Sequence, residues 1–203
     1  DAAGATATSN LTISIAGTND SPVITTALGG NAGIVVEAGN LDDGAVVAGD
    51  PEAGGTLTSS DVDNGATATW SGSAAGTYGS FAIGAGGGWT YTLDNADADT
   101  DALAEGASVT DKFTATVTDD KGATATQLVT ITITGTNDSP VISANAFAAA
   151  GAVQEDTTLT ATGQLAATDT DSNATKTWSV QGPATGNYGA MAVDAAGNWT
   201  YSL

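Results

Sequence analysis

Alternation of apolar and hydroxyl-bearing residues is the dominant pattern along the chain. Residues 11–15, 113–117 and 128–134 place an apolar side chain at every second position, with Thr or Ser between them. A period of two gives a strand one buried and one solvated face. The many Thr residues favour strands further, because their β-branched side chains suit an extended backbone.

The same pattern predicts more strands and no helix. Further strands are predicted at residues 34–37, 55–59, 68–71, 78–83 and 89–93. Gly-rich and Asn-Asp clusters separate the strands at intervals of about 8–12 residues. About seven short strands in a repeat of this size predict an all-β fold of the immunoglobulin-like or cadherin-like sandwich type.

An internal repeat sets the domain organisation. Residues 17–24 recur identically at 135–142, an offset of 118, whereas Asp61-Val62-Asp63 matches Asp169-Thr170-Asp171 at an offset of 108. About ten residues near 44–55 are therefore extra in the first copy. We expect tandem sandwiches arranged end to end, in an excerpt of a longer protein. The predicted units are a terminal strand of a preceding repeat (1–16), a linker (17–22), a complete repeat (23–134), a second linker (135–140) and a C-terminally incomplete repeat (141–203).

Charge narrows the possible partners. The net charge is −20, with three Lys, no Arg and 23 acidic residues. Nucleic acid and anionic membranes are not expected as partners, because both require a basic protein surface. Membrane insertion is not expected either, because no apolar run approaches the roughly 18 residues of a spanning helix. The sequence contains no Cys and no His, which excludes disulfides and a His-based catalytic triad, and we expect no enzymatic activity.

Acidic and amide residues recur at equivalent places in the two copies, which is more informative than the total charge. Hard cations such as Ca²⁺ are bound by six to eight oxygen ligands, usually collected from separate segments. Both linkers carry an Asn-Asp pair, and each copy carries an Asp-x-Asp and a Glu after a short apolar strand. Ordinary domain-boundary turns and solvated acidic loops are the alternative interpretation. The candidate ligands are Asn19, Asp20, Glu37, Asp61, Asp63, Asp119, Asp120, Asn137, Asp138, Glu155, Asp169 and Asp171.

A family resemblance rests on the segments GATAT, TITITGTNDSPVI, DVD and WTYTL. The repeat resembles the VCBS and cadherin-like repeats of giant, type I secreted (RTX-type) bacterial adhesins. The resemblance implies an extracellular location at the bacterial surface and interdomain Ca²⁺. Carried over to this sequence, the first junction would use Asn19, Asp20, Asp61, Asp63 and Asp119 or Asp120, and the second would use Glu37, Asn137, Asp138, Asp169 and Asp171. No match to the Leu-Asp-Arg-Glu motif of cadherins is seen, so fewer than three ions per junction are expected.

Two other features have competing interpretations. The acidic run at residues 94–101 resembles an EF-hand loop but has Asp99 where that loop requires Gly, so a solvated loop is preferred over a loop-type calcium site. Trp70, Trp89, Trp178 and Trp199 recur at equivalent positions in alternating strands, which favours core packing over sugar stacking.

These observations favour a structural extender, a calcium-stiffened spacer whose partners are the neighbouring repeats of the same chain. One alternative is an adhesin module that binds a glycan or a host protein, with the extra segment as the local candidate site. Another is a filament subunit, in which the terminal strand at 1–16 complements the incomplete repeat of a like chain.

Overall fold

The computed structural model describes residues 2–4, 6–143 and 148–203 and is almost entirely β-structure. The strands are β1 (Val23–Ile24), β2 (Ala32–Val36), β3 (Gly39–Asn40), β4 (Val46–Val47), β5 (Glu52–Thr56), β6 (Ser59–Ser60), β7 (Ala68–Ser71), β8 (Ala74–Ala75), β9 (Gly79–Ile83), β10 (Gly88–Leu93), β11 (Ser108–Asp119), β12 (Thr124–Thr134), β13 (Val141–Ile142), β14 (Thr160–Gln164), β15 (Ala167–Thr168), β16 (Ala190–Val193) and β17 (Asn198–Ser202). A single helical turn, α1 (Ala98–Asp101), lies between β10 and β11.

Two four-stranded sheets form the complete repeat, and their orders are β5-β10-β9-β8 and β2-β12-β11-β7. The long hairpin β11–β12 pairs from Ser108 opposite Thr134 to Thr118 opposite Thr124. Strand β2 joins this sheet parallel to β12. The predicted all-β sandwich is therefore confirmed.

The core lies between these sheets and follows the period of two. Val129, Ile131 and Ile133 of β12 are buried, and the Phe81 and Phe113 rings stack with centroids 4.9 Å apart. Trp70, Trp89 and Trp199 are buried and Trp178 is half-buried, which confirms the core interpretation for the first three.

The second copy repeats the strand pairing of the first. Gly55 pairs with Trp89 in β5–β10, and Gly163 pairs with Trp199 in β14–β17. Because Gly55 and Gly163 are 108 apart while Glu37 and Glu155 are 118 apart, the ten extra residues lie within 38–51. This range overlaps the expected 44–55 but begins earlier and stops short of Gly54 and Gly55, which belong to strand β5. The extra residues form the hairpin β3–β4, called here the insert hairpin.

The predicted strand at residues 11–15 is absent from the sheets. Residues 6–22 form no strand, and Leu11, Ile13 and Ile15 are exposed, because no described strand pairs with them. Their assignment to a preceding repeat, like the other domain boundaries, stays a prediction.

Candidate metal centre

Glu37 occupies a buried position at the end of the complete repeat. It follows β2, and its backbone N–H donates to the Thr134 carbonyl across 3.0 Å. The Thr136 N–H donates to Glu37 Oε2 at 3.1 Å, while the Thr136 hydroxyl donates to the Glu37 carbonyl at 2.8 Å. The Glu37 side chain is 0% exposed, yet its Oε1 has no hydrogen-bond partner. An unpartnered buried carboxylate oxygen is costly unless a cation or a proton satisfies it.

Three carboxylates from separate segments converge here. Oxygen atoms of Glu37, Asp101 and Asp138 all lie within 4.8 Å of one another, and Asp138 Oδ2 is also buried without a partner. Burial, and then the neighbouring Asp138, Asp101 and Asp171 carboxylates, raise the pKa of Glu37 to about 7 against the opposing Thr136 hydrogen bond. Burial and Asp101 likewise raise the pKa of Asp138. Three ionised carboxylates this close together repel one another, and a bound divalent cation would neutralise that repulsion.

Asp101 reaches this cluster because the helical turn α1 is fixed at both ends. The Asp97 carboxylate caps the turn by accepting from the Asp99 N–H at 2.9 Å. Thr100 is fully buried, and its hydroxyl donates to the Tyr78 carbonyl at 3.3 Å. The expectation of a solvated loop was therefore wrong at Asp101. The EF-hand-like alternative is not supported, because Asp97 caps the helical turn while Asp101 joins the linker cluster.

The Asp-x-Asp of the following repeat packs against the same linker. The Asp138 N–H donates to Asp171 Oδ2 at 2.9 Å, and the Asp171 N–H donates to Asp169 Oδ1 at 3.1 Å. Asp171 is buried with its Oδ1 unpartnered, and burial raises the pKa of this carboxyl group. The Ser172 N–H also donates to the Ala102 carbonyl at 3.0 Å, which joins the two repeats directly.

The first linker makes the same contacts with different residues. The Asp20 N–H donates to Asp63 Oδ2 at 2.9 Å, and the Asp63 N–H donates to Asp61 Oδ1 at 2.9 Å. Asp61 Oδ2 is buried and unpartnered. The equivalence of Asp20, Asp61 and Asp63 to Asp138, Asp169 and Asp171 shows that the arrangement belongs to the repeat.

The adjacent residues Asp119 and Asp120 have different partners. Asp119 Oδ2 accepts from the Asn19 amide at 2.9 Å, and this bond lowers the pKa of the Asp119 carboxyl group. Asp120 instead pairs with the Lys121 ammonium group. Of the two alternatives, Asp119 is therefore hydrogen-bonded to the linker, whereas Asp120 pairs with Lys121 and lines a cleft beside Thr18 and Asn19.

The ligands of a full junction can be assembled by combining the two linkers, because each linker is flanked by candidate ligands that the other lacks. The second contains the acids of the upstream repeat, and the first adds Asp119 of the downstream repeat, which has no counterpart within residues 141–203. Glu155, the counterpart of Glu37, lies in an exposed turn closed by the Gln154–Thr158 bridge, and no hydrogen bond joins its carboxylate to another candidate ligand among the described residues.

The sequence analysis missed several residues of the second junction. Glu105 Oε2 accepts from the Asn137 N–H at 3.0 Å, and Asp42 Oδ1 accepts from the Asn137 amide at 3.3 Å. Asp101 and Glu105 stand four residues apart on either side of the buried Leu103. This pair of acidic residues was the sequence signal for the missed ligands, although it does not match the Leu-Asp-Arg-Glu motif of cadherins.

Comparison with known families identifies the type of domain. Residues 19–135, more than half of the chain, match the bacterial cadherin-like domain. The chain belongs to this family. Cadherin-like domains typically have no catalytic activity and occur as tandem repeats. No helix among the described residues has the length and apolar character needed to cross a membrane.

Solved cadherin ectodomains are similar to the chain at low identity. The protocadherin gamma B4 extracellular domain is 16% identical over 93% of this chain and 27% of that one, with a TM-score of 0.46. Cadherin domains 1–4 of protocadherin gamma B7 are 16% identical over 90% and 41%, also at 0.46. The human desmocollin-1 ectodomain is 14% identical over 90% and 33%, at 0.38. The chain thus spans less than half of each of these structures. A search of curated proteins found no match.

Proposed function

We propose that this bacterial cadherin-like chain is an extender of a large extracellular adhesin, stiffened by Ca²⁺ bound at its interdomain junctions. The observation that carries the proposal is the Glu37–Asp101–Asp138 cluster, in which oxygen atoms from three segments lie within 4.8 Å of one another. Carboxylate oxygens are the ligands that Ca²⁺ prefers. The unpartnered oxygens of Glu37 and Asp138 are buried acceptors that such an ion would satisfy.

The origin of the ligands explains why an ion would stiffen the chain. Glu37 and Asp101 belong to the complete repeat, Asp138 to the linker, and Asp171 to the following repeat, where it already accepts from the Asp138 N–H. An ion bound by these groups would tie both repeats to the linker. Without it, the converging carboxylates repel one another and favour looser arrangements of the junction.

Calorimetric titration with Ca²⁺ tests the site, with Asp101→Asn as the disabling variant. Asp99→Asn is the matched control, because Asp99 lies on the same helical turn but is exposed. We expect Asp101→Asn to weaken binding at least tenfold, since a close carboxylate ligand is lost, and Asp99→Asn to leave it unchanged. Equal effects of the two substitutions would show that binding reflects general acidity.

Small-angle scattering then tests the mechanical consequence. The maximum dimension and the flexibility of the chain are measured first with Ca²⁺ and then with excess chelator. We expect a more extended and less flexible particle with Ca²⁺. Unchanged scattering, despite binding in the calorimeter, would mean that the ion does not stiffen the junction.

The two alternatives gain no support from the site. The segment at 44–55, which was the candidate for glycan or host-protein binding, overlaps the insert hairpin, and that hairpin packs on the linker through Asn40 and Asp42. Filament assembly through residues 1–16 stays a prediction, and light scattering would test it through the mass of the particle in solution.

A further inference from the structure

The insert hairpin distinguishes the complete repeat from the one that follows it. Between Glu37 and β5, residues 38–51 form the hairpin β3–β4. At the equivalent place, residues 156–159 complete a tight turn closed by the Gln154–Thr158 bridge. Fourteen residues thus connect Glu37 to Glu52 in the complete repeat, whereas four residues connect the equivalent positions Glu155 and Thr160 in the next repeat.

The hairpin is fixed to the body of its own repeat. Gly39 pairs with Val47 and Asn40 with Val46. At its base, Val36 and Asp50 exchange two backbone hydrogen bonds of 2.9 and 2.8 Å. Gly49 makes this base possible, because it has a φ of +68° and a Cβ there would lie 2.6 Å from the Val36 carbonyl oxygen.

The far side of the hairpin holds the linker. The Asn40 N–H donates to the Asn137 carbonyl at 3.0 Å, and the Asn137 amide donates back to the Asn40 carbonyl at 3.2 Å. The Ser139 hydroxyl donates to the same Asn40 carbonyl at 3.0 Å, and Asn40 forms a parallel bridge with Asp138. Gly39 allows this approach, because a Cβ there would lie 2.7 Å from the Asn137 carbonyl oxygen.

These contacts bracket Asp138, the linker member of the carboxylate cluster. Asn137 and Ser139, the residues on either side of Asp138, both bond to Asn40. None of these three hydrogen bonds requires a cation. Neutral groups of the hairpin therefore hold the linker, in addition to the Glu105 and Asp171 carboxylates that accept from the Asn137 and Asp138 N–H groups.

We infer that the insert hairpin is a linker clamp, which fixes residues 137–139 before any ion binds. A clamped linker presents Asp138 in its binding position, so less conformational freedom is lost when the ion binds. Repeats without the insertion, such as the one beginning at Val141, would lack these hairpin contacts and depend more on the ion for the stiffness of a junction. The effect on ion binding rests on the proposed function, whereas the effect on the linker does not.

A chimera tests the clamp directly. Residues 38–51 are replaced by residues 156–159, which gives the complete repeat the shorter connection of its neighbour. Because the sequence has no Cys, the variants Thr114→Cys and Thr200→Cys, both at exposed strand positions, place one spin label in each repeat. Pulsed electron paramagnetic resonance then measures the distribution of label–label distances in chelator and in Ca²⁺.

In chelator, we expect a narrow distribution for the unaltered hairpin and a broad one for the chimera. Calcium narrows the distribution of the chimera, and calorimetry finds its Ca²⁺ dissociation constant raised about tenfold, as expected for the loss of one or two net hydrogen bonds. Equal widths in chelator would overturn the clamp. If the unaltered chain binds no Ca²⁺, the proposed function fails, while the comparison in chelator still decides the clamp.

Point variants keep the test valid if the chimera folds poorly. Asn40→Pro removes the N–H that donates to the Asn137 carbonyl, whereas Asn40→Ala keeps both backbone groups. We expect Asn40→Pro to broaden the distribution in chelator more than Asn40→Ala, which removes only the 3.5 Å hydrogen bond from the Asn40 amide to Asp138 Oδ1. Ser139→Ala removes a clamp contact from the linker side and should broaden it to a smaller extent. Equal distributions for Asn40→Pro and Asn40→Ala would contradict the clamp.

Discussion

Replacing Glu37 by Gln should change stability in opposite directions without and with calcium. Gln keeps an oxygen to accept from the Thr136 N–H and removes the charge that lies beside Asp101 and Asp138. The folded-state pKa of Glu37, about 7, is raised from its ordinary value of 4.5. The stability that the protonated group contributes is therefore fully present below pH 4.5 and is lost as the pH rises through 7.

The size of the effect follows from the pKa. A rise of two and a half pH units corresponds to at most about 3 kcal/mol between the charged and neutral forms. In chelator, Glu37→Gln should therefore stabilise the chain by up to about 3 kcal/mol at pH 8 and by little at pH 4.5. In Ca²⁺ at about 100 times the dissociation constant, the original chain should gain about 2.7 kcal/mol. A variant that binds tenfold more weakly should gain about 1.4 kcal/mol, half of this amount, or less if its affinity falls further.

Urea unfolding followed by tryptophan fluorescence measures both effects, and Glu155→Gln is the matched control. Glu155 is the repeat counterpart of Glu37 but lies in an exposed turn, so its substitution should change neither quantity. A Glu37→Gln chain that is less stable than the original in chelator at pH 8 would refute the argument. A variant that keeps the full calcium-dependent gain would refute it as well.

Three further predictions follow from the same structure. Binding of Ca²⁺ requires Glu37 to lose its proton, so affinity measured by calorimetry should fall about tenfold from pH 8 to pH 6; a pH-independent affinity would exclude Glu37 as a ligand. Asp171→Asn keeps an acceptor for the Asp138 N–H but removes a carboxylate, so the affinity for calcium should fall. Asp156→Asn, in an exposed turn, should leave the affinity unchanged, and equal effects of the two substitutions would place Asp171 outside the site. Asp111→Asn should cost about 1–3 kcal/mol in urea unfolding, because buried Asp111 accepts from the Tyr91 hydroxyl and from the Thr77 and Tyr78 N–H groups; Thr110→Ala, at an exposed position, should change stability by no more than about 0.5 kcal/mol.

Local pattern determined much of the fold in advance. The alternation at Val129, Ile131 and Ile133 specified a strand and its buried face, because a period of two is a property of the extended chain itself. The repeated Asn-Asp and Asp-x-Asp motifs identified Asp138, Asp169 and Asp171 as neighbours across the second junction, and the structure brings them together through short hydrogen bonds. Recurrence in two copies pointed to these motifs, and the resemblance to cadherin-like repeats implied that they meet at one junction.

Contacts between distant segments decided the rest. The sequence placed Asp101 in a solvated acidic run. In the structure, buried Thr100 donates a hydrogen bond to the Tyr78 carbonyl, and this contact helps to orient the helical turn so that Asp101 lies beside Glu37. Asp119 and Asp120 were equivalent in sequence, and they separate because one accepts from Asn19 while the other pairs with Lys121. The insertion was visible as a length difference, but its role as a contact of the linker depends on Asn40 meeting Asn137, 97 residues further along the chain. Periodicity and repetition fix which face of a segment is buried, whereas the partner that each polar atom meets is set by how the sheets pack.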